Sequence, residues 1–224
     1  MIKRVKKFWL SDVSFVSQLL FILFVTFILP MLIEYGYYNF TLIKGMFLLL
    51  FLSGLFFEYK NGLIWLAIAL LSLQTYLFVS DFFDDENTNF LMNWVTIANV
   101  LLFMYINLRL LFRDDCMNFY RVIGAINVYL LIAVYGALFM GYIHYLTGTS
   151  LMGDDLVLTN TEADYSHFMY FSLSSLTTVG FGDVYAANMA VKMLAVFLSS
   201  VGMLYPAIVI ARLVSANTLA RKNS

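Results

Sequence analysis

Apolar runs near 13–34, 41–57, 62–80, 90–112, 121–146 and 189–213 alternate with short polar breaks along this chain of 224 residues. Each run is compatible with the roughly 20 residues a helix needs to cross a bilayer core, so the pattern predicts six membrane spans, of which the second is the shortest. Segment 147–188, between the fifth and sixth runs, is of another kind. It opens with Thr147-Gly148-Thr149, carries Asp154, Asp155, Glu162 and Asp164, and turns apolar again at His167-Phe168-Met169-Tyr170-Phe171. That apolar piece is too short to cross the membrane. A half-length helix over about 165–177 that delivers an irregular loop accounts for it, because irregular backbone survives at membrane depth only where protein or an aqueous cavity surrounds it. The predicted fold class is therefore an all-α integral membrane protein, six transmembrane helices with a re-entrant helix and loop between helices five and six.

Composition agrees with this pattern. The chain is 62% hydrophobic and 12% charged, with a mean hydropathy of +0.84, more apolar surface than a soluble core hides. A net charge of −1, without a basic face interleaved with stacking aromatics, argues against nucleic acid as a partner and leaves membrane lipid. Lys3, Arg4, Lys6 and Lys7 precede an apolar run from Val13 to Ile33 that is longer than a signal-peptide core and lacks a small-residue cleavage pattern. It reads as an uncleaved first span. Cys116, the lone cysteine, sits beside Arg113, Asp114 and Asp115 and implies neither a disulfide framework nor a metal site. No cofactor is expected.

The charges predict an orientation. With six spans and both termini on one side, that side holds Lys3, Arg4, Lys6, Lys7, Lys60, Arg109, Arg113, Arg121, Arg212, Arg221 and Lys222, and only Lys44 and Lys192 lie toward the other. The positive-inside rule then places both termini in the cytoplasm. Acidic residues show the opposite bias, and Asp154, Asp155, Glu162 and Asp164 are expected to ring an outer entrance and concentrate cations there.

Thr177-Thr178-Val179-Gly180-Phe181-Gly182-Asp183 carries the candidate chemistry. Replacing the water around a dehydrated potassium ion requires consecutive carbonyls aimed at one axis, hence alternating backbone conformations that glycine adopts at little steric cost. Gly180 and Gly182 alternate as required. Thr178 can add a hydroxyl ring at the inner end, while Val179 and Phe181 turn their side chains outward. On these seven residues and their context the chain resembles the tetrameric potassium channel superfamily, over spans five and six and the loop between them, 121–214.

The resemblance implies a homotetramer with potassium as the permeant ion, bound at Thr178, Val179, Gly180 and Phe181. It also implies the plasma membrane, in a prokaryote the inner membrane. Tyr170 and Phe171 fall where relatives place an aromatic cuff around the filter, and Ser172 to Leu176 complete the pore helix. Ser174 stands where some relatives carry a buried acid that pairs with the aspartate after the filter, so Asp183 has no obvious carboxyl partner. Phe181 replaces the more frequent tyrosine and removes a hydroxyl that can tether the filter. Gly202, 20 residues after Gly182, matches the hinge glycine of family inner helices, and Pro206 one turn later removes a backbone hydrogen bond. The alternative for Ser199, Ser200 and Gly202 is close helix packing.

Residues 1–120 read as a four-helix, sensor-like unit, 121–214 as the pore domain and 215–224 as a short cytoplasmic tail, too short for a ligand-binding domain. Span four holds no Lys, Arg or His from Phe90 to Leu108, so it lacks the charges a voltage sensor moves through the field. Asn93, Asn99 and Asn107 on that span are expected to bond to neighbouring helices. A secondary transporter is disfavoured by the lack of ionisable residues buried near mid-membrane and of paired broken helices. The absence of nucleophile or zinc motifs argues against an enzyme, and the intact Val179-Gly180-Phe181-Gly182 run against a nonselective cation channel.

Overall fold

The computed structural model describes residues 16–37, 40–54, 63–80, 86–112, 119–153, 156–159 and 162–222. Cys116, Asp154 and Asp155 lie outside them. Helix α1 covers Val16–Glu34 and includes a π turn at Phe24–Ile28. It is followed by α2 (Phe40–Gly54), α3 (Leu63–Ser80), α4 (Glu86–Phe112) and α5 (Phe119–Thr147). Next come strand β1 (Leu151–Gly153), a 3-10 turn at Glu162–Asp164, the short helix α6 (Tyr165–Leu176), strand β2 (Val184–Ala186) and the long helix α7 (Met189–Lys222).

Four of these helices contain stretches long and apolar enough to cross a membrane: Val16–Glu34, Leu91–Arg109, Val122–Thr147 and Met189–Arg212. Two further apolar helical stretches, Ile43–Ser53 and Trp65–Ser80, are shorter. The chain is thus a mostly helical, multi-pass membrane protein. Helices suit that setting because each satisfies its own backbone hydrogen bonds where no water is present to do so.

Apolar burial runs continuously from the first helix to the last. One cluster joins Ile22, Val25 and Leu29 of α1, Phe47 and Phe51 of α2, and Phe103 of α4 to Leu131 and Met140 of α5, Phe168 and Met169 of α6, and Leu198 of α7. The division at residue 120 that the sequence suggests is therefore crossed by packed side chains. Carboxamides add directional contacts within it. Asn99 Nδ2 donates to Gln74 Oε1 at 2.6 Å, joining α4 to α3, and Asn107 Nδ2 donates to Gln18 Oε1 at 3.2 Å, joining α4 to α1. Interhelical bonds of this kind hold helices together where lipid supplies no hydrophobic drive. Asn93 is exposed, and among the described residues it makes no such bridge.

α7 differs from its neighbours in how little of it is covered. Only 17% of its apolar window is buried, against 67% for that of α5, and Met193, Phe197, Met203, Leu204 and Ile208 are exposed. Its α-helix continues unbroken through Gly202 and Pro206 and on to Lys222, so the segment read from sequence as a tail begins as helix.

Candidate functional site

α6 ends in a motif that sets the start of the loop beyond it. Thr177 caps the helix, and Thr178 adopts φ +60°. Its N–H donates to Ser175 O at 3.1 Å, and the Val179 N–H donates to Ser174 O at 3.0 Å. This paired arrangement is the Schellman closure, in which a left-handed residue usually occupied by glycine lets the chain turn back on the last helical carbonyls. A β-branched residue in that conformation is strained by about 1–3 kcal/mol, a cost characteristic of functional sites.

Gly180 and Gly182 follow with φ +55° and +85°, and no non-glycine residue between them has a positive φ. The backbone sign thus alternates along Thr178, Val179, Gly180, Phe181 and Gly182. Every residue from Thr177 to Asp183 is exposed in the single chain, and Phe181 is 70% accessible. Its ring stacks on that of Tyr170, 6.2 Å between centroids and 9° between planes. Phe171 packs instead against the apolar core, and the carbonyl of Ser174 accepts from the N–H groups of both Val179 and Gly180.

Asp183 has a partner that reading the sequence missed. The Tyr170 hydroxyl donates to Asp183 Oδ2 at 2.7 Å. Tyr170 therefore supplies a tether that the absent acid at Ser174 and the absent hydroxyl at Phe181 do not. The bond, aided by backbone N–H groups and opposed by slight desolvation, holds the Asp183 carboxyl below its ordinary range. On the other side it raises Tyr170, chiefly through the same bond and then through desolvation and the carboxylate charge.

The signs give a pH window. A lowered carboxyl contributes above its ordinary value, about 4, and loses that contribution as pH falls through the lowered one; a raised phenol contributes below about 10 and loses it as pH rises through the raised one. The tether should therefore be intact from about pH 5 to 9. Tyr170→Phe should lower the thermal midpoint of the purified protein by about 2–4 °C across that range, whereas wild type should change only outside it. Equal midpoints in Tyr170→Phe and wild type at neutral pH would show the bond to be idle.

The far end of the loop is clamped as well. β1 pairs antiparallel with β2, Met152 opposite Tyr185, and the Ala187 N–H donates to Ser150 O at 2.8 Å. A Cβ on Gly153 would stand 2.8 Å from the Asp183 carbonyl oxygen, so the absence of a side chain there permits the approach. Asn188 Nδ2 donates to Thr149 O, and Asn188 Oδ1 accepts from the Val191 N–H as the first turn of α7 forms.

Asp164 does not occupy the place expected of it. Rather than facing an entrance it is 2% exposed, and its carboxylate accepts from the N–H of Thr159 at 3.0 Å and from the Thr159 hydroxyl at 3.1 Å. It closes the loop that leads into α6. Of the other three expected entrance acids, Asp154 and Asp155 are outside the described residues, and Glu162 lies in the 3-10 turn.

The C-terminal end of α6 is fastened to both flanking helices. Ser172 Oγ donates to Ala133 O of α5 at 2.7 Å, and Ser199 Oγ of α7 donates to Ser175 O at 2.8 Å. A Cβ on Gly202 would overlap the Leu176 carbonyl oxygen and lie 2.7 Å from its carbon. Gly202 is thus a point of backbone contact between α7 and the end of α6. Three residues below it, the Tyr205 hydroxyl donates to Ala125 O of α5 at 2.9 Å.

A protein-family model described as "Ion channel" matches residues 125–218, which include α6, the loop and most of α5 and α7. No curated protein matches the chain. Over those residues the chain is similar to that family, and the multi-pass helical fold is ion-channel-like, consistent with passive ion conduction and with non-enzymatic transport. Among the described residues no group of three or more His, Cys, Asp or Glu is placed to hold a metal ion.

Proposed function

We propose that the chain is the subunit of a potassium-selective channel in which four copies surround one axis and each contributes Thr177 to Asp183 to a common filter. The observation that carries this reading is the alternation of backbone sign through Thr178, Gly180 and Gly182, on an exposed strip at the end of a short helix. Alternation lets successive carbonyls face one side, where Thr178, Val179, Gly180 and Phe181 replace the hydration shell of the ion. One loop supplies a single wall and cannot enclose a path. The bare face of α7 and the exposed Val179 and Phe181 need covering, which further copies provide.

In this reading α1 to α5 and α7 are the six spans, α6 is the re-entrant pore helix, and residues 121–214 form the pore domain, with both termini in the cytoplasm of the plasma membrane. The C-terminal end of α6 directs partial negative charge toward the ion path. Span four has no ladder of basic residues, so steep voltage gating is not part of the function.

Purified protein in a bilayer with potassium opposed to sodium should give a reversal potential close to that of potassium. Barium should block the current, because it approximates potassium in size with twice the charge and should lodge at the Thr178 ring. Equal permeability to both ions would replace this reading by a nonselective cation channel.

A further inference from the structure

At the start of α6 one side chain, Tyr165, touches both of the first two helices, and the reason its hydroxyl matters lies in the backbone of α1. Within the π turn, the Leu29 N–H reaches back to Phe24 O. In an α-helix that donor would serve Val25 O; in the π register Val25 O would instead take the donor of residue 30. Residue 30 is proline and has no N–H. Val25, fully buried, is therefore left with a carbonyl that neither register satisfies, an arrangement that folded proteins avoid by finding another partner.

The Tyr165 hydroxyl lies 3.4 Å from that oxygen. Its own burial makes the contact matter, because Tyr165 is 6% exposed and a buried phenol also needs a partner. Met169 Sδ, 3.5 Å away on the same helix, is a weak acceptor. The Tyr165 ring stands edge-on to Phe47 of α2 at 5.7 Å, so one residue touches both α1 and α2. α6 has 12 residues and is a rod of about 18 Å, with its far end fastened to α5 and α7 and leading directly into Thr177.

We infer that Tyr165 is a positioning residue for the filter, donating its hydroxyl to the Val25 carbonyl that Pro30 leaves unpaired and so tying the first span to the pore helix. This gives α1 and α2 a role: displacement of the outer spans reaches the filter through the N-terminal end of α6. The inference rests on the reading of residues 177–183 as a potassium filter.

The experiment compares the full-length wild type with Tyr165→Phe, Pro30→Ala and the double variant, reading thermal midpoints of the purified protein and single-channel burst duration in bilayers. Phenylalanine keeps the ring on Phe47 and removes the donor. Alanine at 30 gives the Val25 carbonyl a competing donor from its own helix, which removes its need for Tyr165 and weakens that contact without touching a pore residue. Each single variant should shorten bursts about tenfold at unchanged unitary conductance, since a hydrogen bond lost in each of four subunits acts on one filter. The double variant should be no worse than either, the signature of one shared contact.

Effects that multiply in the double variant, or wild-type bursts in Pro30→Ala, would overturn the inference. Should Tyr165→Phe fail to assemble, Pro30→Ala still decides it. A thermal midpoint lowered by Tyr165→Phe with wild-type bursts would reduce Tyr165 to packing and overturn its role at the filter. If the wild type conducts potassium and sodium equally while the thermal midpoints still show non-additive coupling, the filter reading fails and the contact between Pro30, Val25 and Tyr165 stands.

Discussion

Alanine in place of Gly180 should abolish potassium-selective flux while leaving the subunit folded. Nothing lies within 4 Å of the Cβ that would be added, so the subunit itself meets no collision. The penalty is conformational: at φ +55° an L-residue pays about 1–2 kcal/mol for the left-handed region. Relief comes by rotating to negative φ, which turns the neighbouring carbonyl away from the axis. In the proposed tetramer four copies make the change together, and flux should fall at least about a hundredfold. Thr178 shows what it takes to hold a side chain in that region, since its N–H and the next are both tied to α6 carbonyls, at 3.1 and 3.0 Å. At Gly180 the N–H reaches Ser174 O at a longer 3.3 Å. The measurement is potassium-over-sodium flux into liposomes, with size-exclusion elution as the control for assembly. Wild-type selectivity in Gly180→Ala would mean that the alternation is not what coordinates the ion.

The loop was legible in the sequence because its requirement is local. Glycine at every second position is written in the residues themselves, and the backbone signs at 180 and 182 follow. The short helix was legible for a related reason: an apolar stretch too short to span, placed before glycines, has few other uses. Helix α6, predicted over about 165–177, runs from Tyr165 to Leu176.

Where a residue's role depends on a distant partner, its identity alone was insufficient. Asp164 reads as a solvated acid until the loop brings Thr159 to it; threonine five residues ahead of an aspartate at a helix start was the signal available. Tyr170 and Asp183 meet because the chain reverses after Leu176, a fold-back that an aromatic in a sequence rich in Phe and Tyr does not announce. The consequence of Pro30 for Tyr165 exists only once α1 lies against α6. Gly202 was open to two readings, hinge or close contact, because both use the same property of glycine.

Those readings separate at Gly202→Ala. If Gly202 serves only as a bend, alanine should lower open probability and leave the thermal midpoint and selectivity unchanged. The close approach to Leu176 leads to a different expectation. The atoms that a Cβ would meet are backbone, the carbonyl oxygen and carbon of Leu176, and neither can rotate aside. Helices α6 and α7 would have to separate, stretching the 2.8 Å bond from Ser199 to Ser175 one turn away. Overpacking of this kind costs about 1–3 kcal/mol in each subunit. The thermal midpoint of the purified protein should fall by about 5–10 °C. Because Leu176 is followed directly by Thr177 and Thr178, potassium-over-sodium selectivity should fall with it. Pro206→Ala tests the bend without that collision, since it restores the donor that Pro206 denies to the Gly202 carbonyl. Unchanged stability and selectivity in Gly202→Ala, together with reduced opening in both variants, would return Gly202 to the role of hinge.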